Sequence, residues 1–165
     1  MPANDQELNG LLDKLQEAEG KAQPAVSKEE AWVGKFEDLR RKVIRPMLET
    51  LGKQLQQRGH DFDIVQAQFQ RENRAVPLEA SIRIDLYLST ERTRTGIGRD
   101  RRPHLAFTTK HKSQAVEVTL CDITARGGVV STIGEFPLEK IDTAFVRDKF
   151  VALLNRLVKQ EGLGA

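Results

Sequence analysis

The sequence predicts an α+β fold of two layers, in which an antiparallel meander of five strands carries a long N-terminal helix and a C-terminal helix on one face. Apolar residues recur every three or four positions near both ends of the chain, but they alternate with polar residues between Phe62 and Ile133. Short polar or glycine-containing turns separate the alternating runs, which favours pairing between strands that are neighbours in the chain. Because alternation makes only one sheet face apolar, we expect both helices to cover that face.

The first 26 residues predict a short amphipathic helix and a linker. The helix is expected over residues 5–19 and ends at Gly20, and the linker over residues 20–26 contains Pro24. A helix of this length is marginal alone, so its apolar side should pack on the main domain or on another chain. We call this side the leucine face, and it consists of Leu8, Leu11, Leu12 and Leu15. We therefore divide the chain into residues 1–26 and a single α+β domain over residues 27–165.

The second helix is predicted over residues 28–58, and Gly59 is predicted to end it. Ser27 and Glu30 form a capping-box pattern, and apolar positions then recur at helical spacing from Trp32 to Leu55. Pro46 predicts a kink, because proline lacks an amide hydrogen and crowds the preceding turn. The basic residues of this helix have acidic neighbours three or four positions away, so we predict a solvated face and not a binding patch.

The strands are predicted in order along the middle of the chain. The first spans residues 62–71 and the second spans 78–88, and the next three are centred on Phe107, Val118 and Ser131. The polar side of this sheet, its outer face, is small or neutral as often as it is charged, which suits either solvent or a partner. The last helix has Asp142 or Thr143 as its predicted N-cap and carries an apolar stripe up to Val158.

Composition and motifs exclude several classes of function. The formal charge is only +2, and the single Cys121 cannot form an intrachain disulfide. We find no secretory signal and no apolar run long enough for a membrane, so we expect a cytoplasmic protein with no membrane partner. No close-spaced ligand set, phosphate loop or nucleophile and base pair can be assembled. We therefore predict no enzyme activity, no catalytic residues, no metal and no cofactor.

The arginine arm, residues 91–103, is the most unusual segment. Residues 91–112 hold seven basic and two acidic residues, a net charge of +5 that exceeds the charge of the whole chain. A hairpin through residues 95–98 would place Leu88 opposite Leu105 and set the arginines in opposed pairs, which destabilises a strand pair. We therefore expect the arm to be either a mobile solvated loop or a segment that binds phosphate groups or an acidic protein surface. Its five candidate anion-binding residues are Arg92, Arg94, Arg99, Arg101 and Arg102.

These observations favour a non-catalytic cytoplasmic interaction module. It would bind a protein partner, or a second copy as a homodimer, through the leucine face or through the outer face of the sheet. The alternative is phosphate-backbone binding to nucleic acid through the arginine arm, in which no aromatic residue is available for stacking on bases.

Overall fold

A computed structural model describes residues 3–71, 75–91 and 101–160 of the chain. It has the α+β architecture predicted from the sequence. Its main elements are α1 (Ala3–Leu39), a π-helical turn (Arg40–Ile44), α2 (Arg45–Gln57), β1 (Asp61–Ala67), β2 (Ser81–Tyr87), β3 (His104–Lys110), β4 (Ala115–Cys121), β5 (Val130–Phe136) and α3 (Thr143–Gln160). Short 3₁₀ helices span Ser89–Glu91 and Leu138–Lys140.

The five strands form one antiparallel sheet in the order β1-β2-β3-β4-β5, so the predicted meander is confirmed. The apolar positions of the alternating runs are the buried ones, because opposed residues in neighbouring strands share a face. On the three central strands these buried positions are Ile82, Ile84, Leu86, Leu105, Phe107, Val116, Val118 and Leu120. One register shift interrupts the ladder between β4 and β5, at Val118 and Thr119.

The helices supply the other half of the core. Phe36 of α1, Leu48 of α2 and Leu153 of α3 are fully buried, and they pack in one cluster with the apolar face of the sheet. Trp32, at 8% exposure, is also part of this cluster. Burying each such side chain contributes roughly 1.5–3 kcal/mol, so this single cluster holds the two layers together.

The linker predicted over residues 20–26 is wrong, because these residues continue α1 without a break in the helical backbone. Gly20 and Pro24 each disfavour a helix locally, but the flanking Ala18, Ala22 and Ala25 belong to the residue type with the highest helix propensity. The predicted division of the chain at residue 26 remains a prediction. In the structure, the residues on both sides of this position belong to one helix.

Pro46 is accommodated by a change of helix type. The π-helical turn lies directly ahead of it, and the backbone N–H of Arg45 donates to the carbonyl of Arg40, five residues earlier. Proline stands within the first two positions of α2, where the missing amide hydrogen removes no necessary bond. A π turn thus lies beside Pro46, a rare type of turn at which helices often kink, and the kink itself stays a prediction.

The ends of α2 and α3 follow their local sequences. Gly59 has a φ of 90°, and the N–H groups of Gly59 and His60 donate to the carbonyls of Gln56 and Leu55, which completes a Schellman motif. At the start of α3, Asp142 accepts a hydrogen bond of 2.8 Å from the N–H of Phe145. Both the predicted glycine stop and the predicted aspartate cap are thus confirmed.

The register predicted between the second and third strands is wrong. Ile84 lies opposite Leu105 and Ile82 opposite Phe107, a shift of four residues from the register that the short hairpin implied. The pairing of the two strands ends at Asp85 and His104, β2 itself ends at Tyr87, and the chain then turns into the 3₁₀ helix at Ser89–Glu91. Buried Glu91 accepts a 2.8 Å hydrogen bond from the N–H of Ala125, which holds this turn against the loop between β4 and β5.

Candidate protein-interaction site

The leucine face is exposed along the N-terminal part of α1. Its four side chains retain between 52% and 57% of their accessible surface, and they stand at positions i, i+3, i+4 and i+7 of one helical stripe. Further along the same helix, Val33 and Phe36 are buried. The sequence predicted that the leucines pack on the domain or on another chain, and within the described residues nothing covers them.

The helix that carries the leucine face is acidic. Residues 5–19 contain five acidic residues and one lysine, a net charge of −4. The acidic residues are Asp5, Glu7, Asp13, Glu17 and Glu19. A surface that receives the leucine face should therefore be apolar in its centre and basic at its rim.

An apolar groove of about 440 Å³ lies at the opposite end of the molecule, where the last turns of α2 and α3 meet the end of the sheet. Its walls are the aliphatic side chains of Leu55, Leu88, Leu154, Leu157 and Val158. Arg58 and His60 line its rim, and Arg58 is the only Lys, Arg, Asp or Glu among its described lining residues. Val158 is 42% exposed, so the groove is open to a partner.

Two residues of the arginine arm lie within the described part of the chain. Arg101 is exposed, and the guanidinium carbon of Arg102 lies 4.6 Å from the centre of the Tyr87 ring, a cation–π contact. Arg92, Arg94 and Arg99 lie outside the described residues. The opposed arginine pairs relied on the register corrected above, so that part of the argument for the arm no longer holds.

Three basic residues around the π-helical turn form ion pairs on a solvated face, as predicted, whereas the same prediction is wrong for Arg40. Arg41 and Lys42 both contact Asp38, and Arg45 contacts Glu49 at 2.9 Å. The hydrogen bond from Lys42 is the main cause that lowers the pKa of the Asp38 carboxyl below its usual value, and Arg41 adds to the effect.

Arg40 differs from its neighbours because it is buried, at 5% exposure. Its guanidinium donates to the carbonyls of Ala67 at 2.9 Å and Ser81 at 3.0 Å, and to the side-chain oxygen of Gln68 at 3.0 Å. Burial lowers the pKa of Arg40, while the charge of Glu37 opposes this shift. Arg40 therefore ties the helix to the ends of β1 and β2 instead of facing a ligand.

A partly buried polar cluster that the sequence analysis missed connects α1 to the sheet. The two oxygens of Glu79 lie 2.9 and 2.8 Å from Nδ1 of His111, and Nε2 of the same ring lies 3.8 Å from Glu29. Arg71 also contacts Glu29, at 3.0 Å. In the chain, His111 is 32 residues from Glu79, and Arg71 is 42 residues from Glu29. Because the contacting residues are so far apart, no local spacing could have revealed the cluster.

At one end of the outer face of the sheet, the side chains are buried and not exposed to solvent. Asp85, His104 and Cys121 stand opposite one another on β2, β3 and β4, and all three are buried. The structure thus brings Cys121 beside His104. A nucleophile must contact its substrate, and the burial of this thiol leaves it without that access.

The described residues contain no candidate metal site and no helix that could span a membrane, and comparisons with known proteins found no similar protein. Within residues 3–71, 75–91 and 101–160, no group of three or more His, Cys, Asp or Glu could hold a metal ion. No helix of these ranges is both long enough and apolar enough to cross a membrane. Comparisons with protein families, with curated proteins and with solved structures found no match for this chain.

Proposed function

We propose that this chain is a non-catalytic interaction module that binds a protein through the leucine face of α1. The observation that supports the proposal is the exposure of four leucines, at 52–57%, on a helix whose later apolar residues Trp32, Val33 and Phe36 are buried. Exposed single apolar residues are ordinary, but an aligned stripe with these spacings matches the anchors of helices that dock in apolar grooves.

The free energy available to such a contact is modest. Full burial of a leucine contributes roughly 1.5–3 kcal/mol, so burying the exposed half of four leucines contributes roughly 3–6 kcal/mol. Association itself costs an estimated 4–15 kcal/mol, so this face needs either further contacts or a second copy of the same contact. The helix is also held firmly at its far end by Phe36 and by the Glu29 contacts, which reduces the ordering that binding requires.

Site-specific photo-crosslinking tests the proposal directly. A photoreactive phenylalanine analogue at Leu11 should give adducts of one defined mass in cells, and an excess of wild-type chain should compete them away. The matched control carries the same analogue at Gln6, which is also exposed on α1 but lies on the opposite side of the helix. Equal adducts from both positions, or none from Leu11, would rule out the leucine face as a binding surface.

Phosphate-backbone binding through the arginine arm is the second candidate that we propose. The exposed Arg101 supports it, together with the net charge of +5 over residues 91–112. If the arm neutralises about four phosphates of duplex DNA, the slope of log affinity against log salt should be near −3.6. Fluorescence anisotropy with a labelled duplex measures this slope, and changing Arg92, Arg94, Arg99 and Arg101 to alanine should abolish it. Binding that is unchanged in the variant would eliminate this candidate.

A further inference from the structure

We infer that the leucine face of one copy docks in the apolar groove of a second copy, and that two copies exchange these contacts reciprocally to form a dimer. The inference rests on the proposed function, and it names the partner of the leucine face. The groove lies between two helix ends, and helix-in-groove binding uses anchors at i, i+3, i+4 and i+7, the positions of the four leucines.

Charge selects the groove over the other apolar surface that a second copy offers. Two leucine faces packed against each other would bring together two helices of net charge −4, and like charges oppose association. The groove instead presents Arg58 at its rim and has no acidic side chain among its described lining residues. Its aliphatic walls and positive rim therefore complement a helix that is aliphatic on one side and acidic around it.

The groove of the same copy is out of reach. The leucine face and the groove lie on opposite sides of the π-helical turn: Leu15 precedes its middle by 27 residues and Leu55 follows it by 13. At a rise of 1.5 Å per residue, the two segments are about 40 Å and about 20 Å long. Whatever the bend at the turn, Leu15 and Leu55 then stay about 20 Å or more apart. Contact between the two surfaces requires a second molecule.

A two-fold dimer satisfies both pairs of surfaces at once. When two copies lie antiparallel, the two-fold axis that places one leucine face on the partner's groove places the second pair in contact as well. Both contacts then share a single loss of translational and rotational freedom. A one-way arrangement would leave one face and one groove open and would continue into a filament.

Sedimentation velocity on the full chain tests the inference with a matched pair of substitutions on α3. Val158→Glu places a negative charge in the groove, where it repels the acidic helix. Val151→Glu is the control, because Val151 is 43% exposed on the same helix but does not line the groove. The wild type should sediment as a dimer of about twice 18.6 kDa. Val158→Glu should raise the dissociation constant at least about tenfold, because each dimer contains the change twice, and Val151→Glu should leave it unchanged.

A mixing experiment separates groove docking from pairing of two leucine faces. Leu11→Glu spoils the leucine face and keeps the groove, whereas Val158→Glu does the reverse, so an equal mixture contains one intact contact per heterodimer. The mixture should associate more tightly than either variant alone. A wild type that stays monomeric at 200 µM, or a Val158→Glu variant that dimerises like the wild type, overturns the inference. If crosslinks from Leu11 then reach another protein, the proposed function stands while the self-docking fails.

Discussion

The same substitution should have opposite effects at two glycines of the long N-terminal helical segment. Gly52 of α2 faces β1, and a methyl group at this position would lie 2.5 Å from ring atoms of Phe62. Carbon atoms pack at about 3.5–4.0 Å, so the ring or the helix must move by roughly 1 Å. Gly34 of α1 is exposed, and a methyl group there meets nothing within 4 Å.

The change in the free energy of unfolding has two opposing contributions, a gain in helix propensity and a cost of overpacking. Replacing a helical glycine by alanine stabilises the fold by about 1 kcal/mol, whereas overpacking a tight contact costs about 1–3 kcal/mol. Gly34→Ala brings only the gain in helix stability, so it should raise the free energy of unfolding by about 0.5–1 kcal/mol. Gly52→Ala meets both terms, and with the overpacking cost near its upper limit it should lower the free energy of unfolding by about 1–2 kcal/mol.

Urea unfolding measures both variants. The single Trp32 is 8% exposed and reports the core, and far-UV circular dichroism reports the helices. Phe62→Leu should relieve the contact, so the double variant Gly52→Ala with Phe62→Leu should show a coupling of about 1 kcal/mol or more. If Gly52→Ala stabilises the protein as much as Gly34→Ala does, the close approach of α2 to β1 is refuted.

Three further outcomes test the anchors of the fold. Arg40→Ala removes three hydrogen bonds of a buried guanidinium and should cost about 3 kcal/mol in urea unfolding, while Arg41→Ala, on the exposed side, should stay within about 0.5 kcal/mol; similar values for the two would contradict the assignment. Asp142→Ala should lower the stability by about 1 kcal/mol through loss of the cap of α3, and an unchanged urea midpoint would show that this cap is dispensable. Lys42→Ala should raise the lowered pKa of the Asp38 carboxyl toward its usual value in an NMR titration, since the Lys42 hydrogen bond is the main cause of the shift; a pKa that does not move would exclude that cause.

Much of the fold was predictable because it depends on local patterns. The alternation around Ile82 and Ile84 identified both a strand and its buried face, and the same rule held for β3 and β4. Gly59 and Asp142 were predicted as the end of one helix and the start of another, because their roles depend only on the adjacent backbone.

The errors arose where local preference competed with neighbouring residues. Gly20 and Pro24 indicated a break, but the residues around them favour a helix strongly enough to continue it. The register between β2 and β3 could not be read from parity, because every shift by an even number of residues keeps the same faces buried. The turn at Glu91 settles it through a contact with Ala125, 34 residues away.

One part of the candidate site was predictable from the sequence, and the other part was visible only in the structure. The leucine face was visible in the sequence, because helical spacing is a property of a few consecutive residues. The apolar groove was not, since it joins the ends of α2 and α3 with Leu88, and those segments lie far apart in the chain.

By itself, then, the sequence determined the order of the helical and strand regions, which of their faces are apolar, and that the chain carries a leucine-rich acidic helix. Only the tertiary structure decided which apolar residues stay uncovered. Periodicity records the preference of each residue for burial, but burial itself depends on whether another element comes close enough. For Phe36 one does, and for Leu11 on the same helix none of the described elements does.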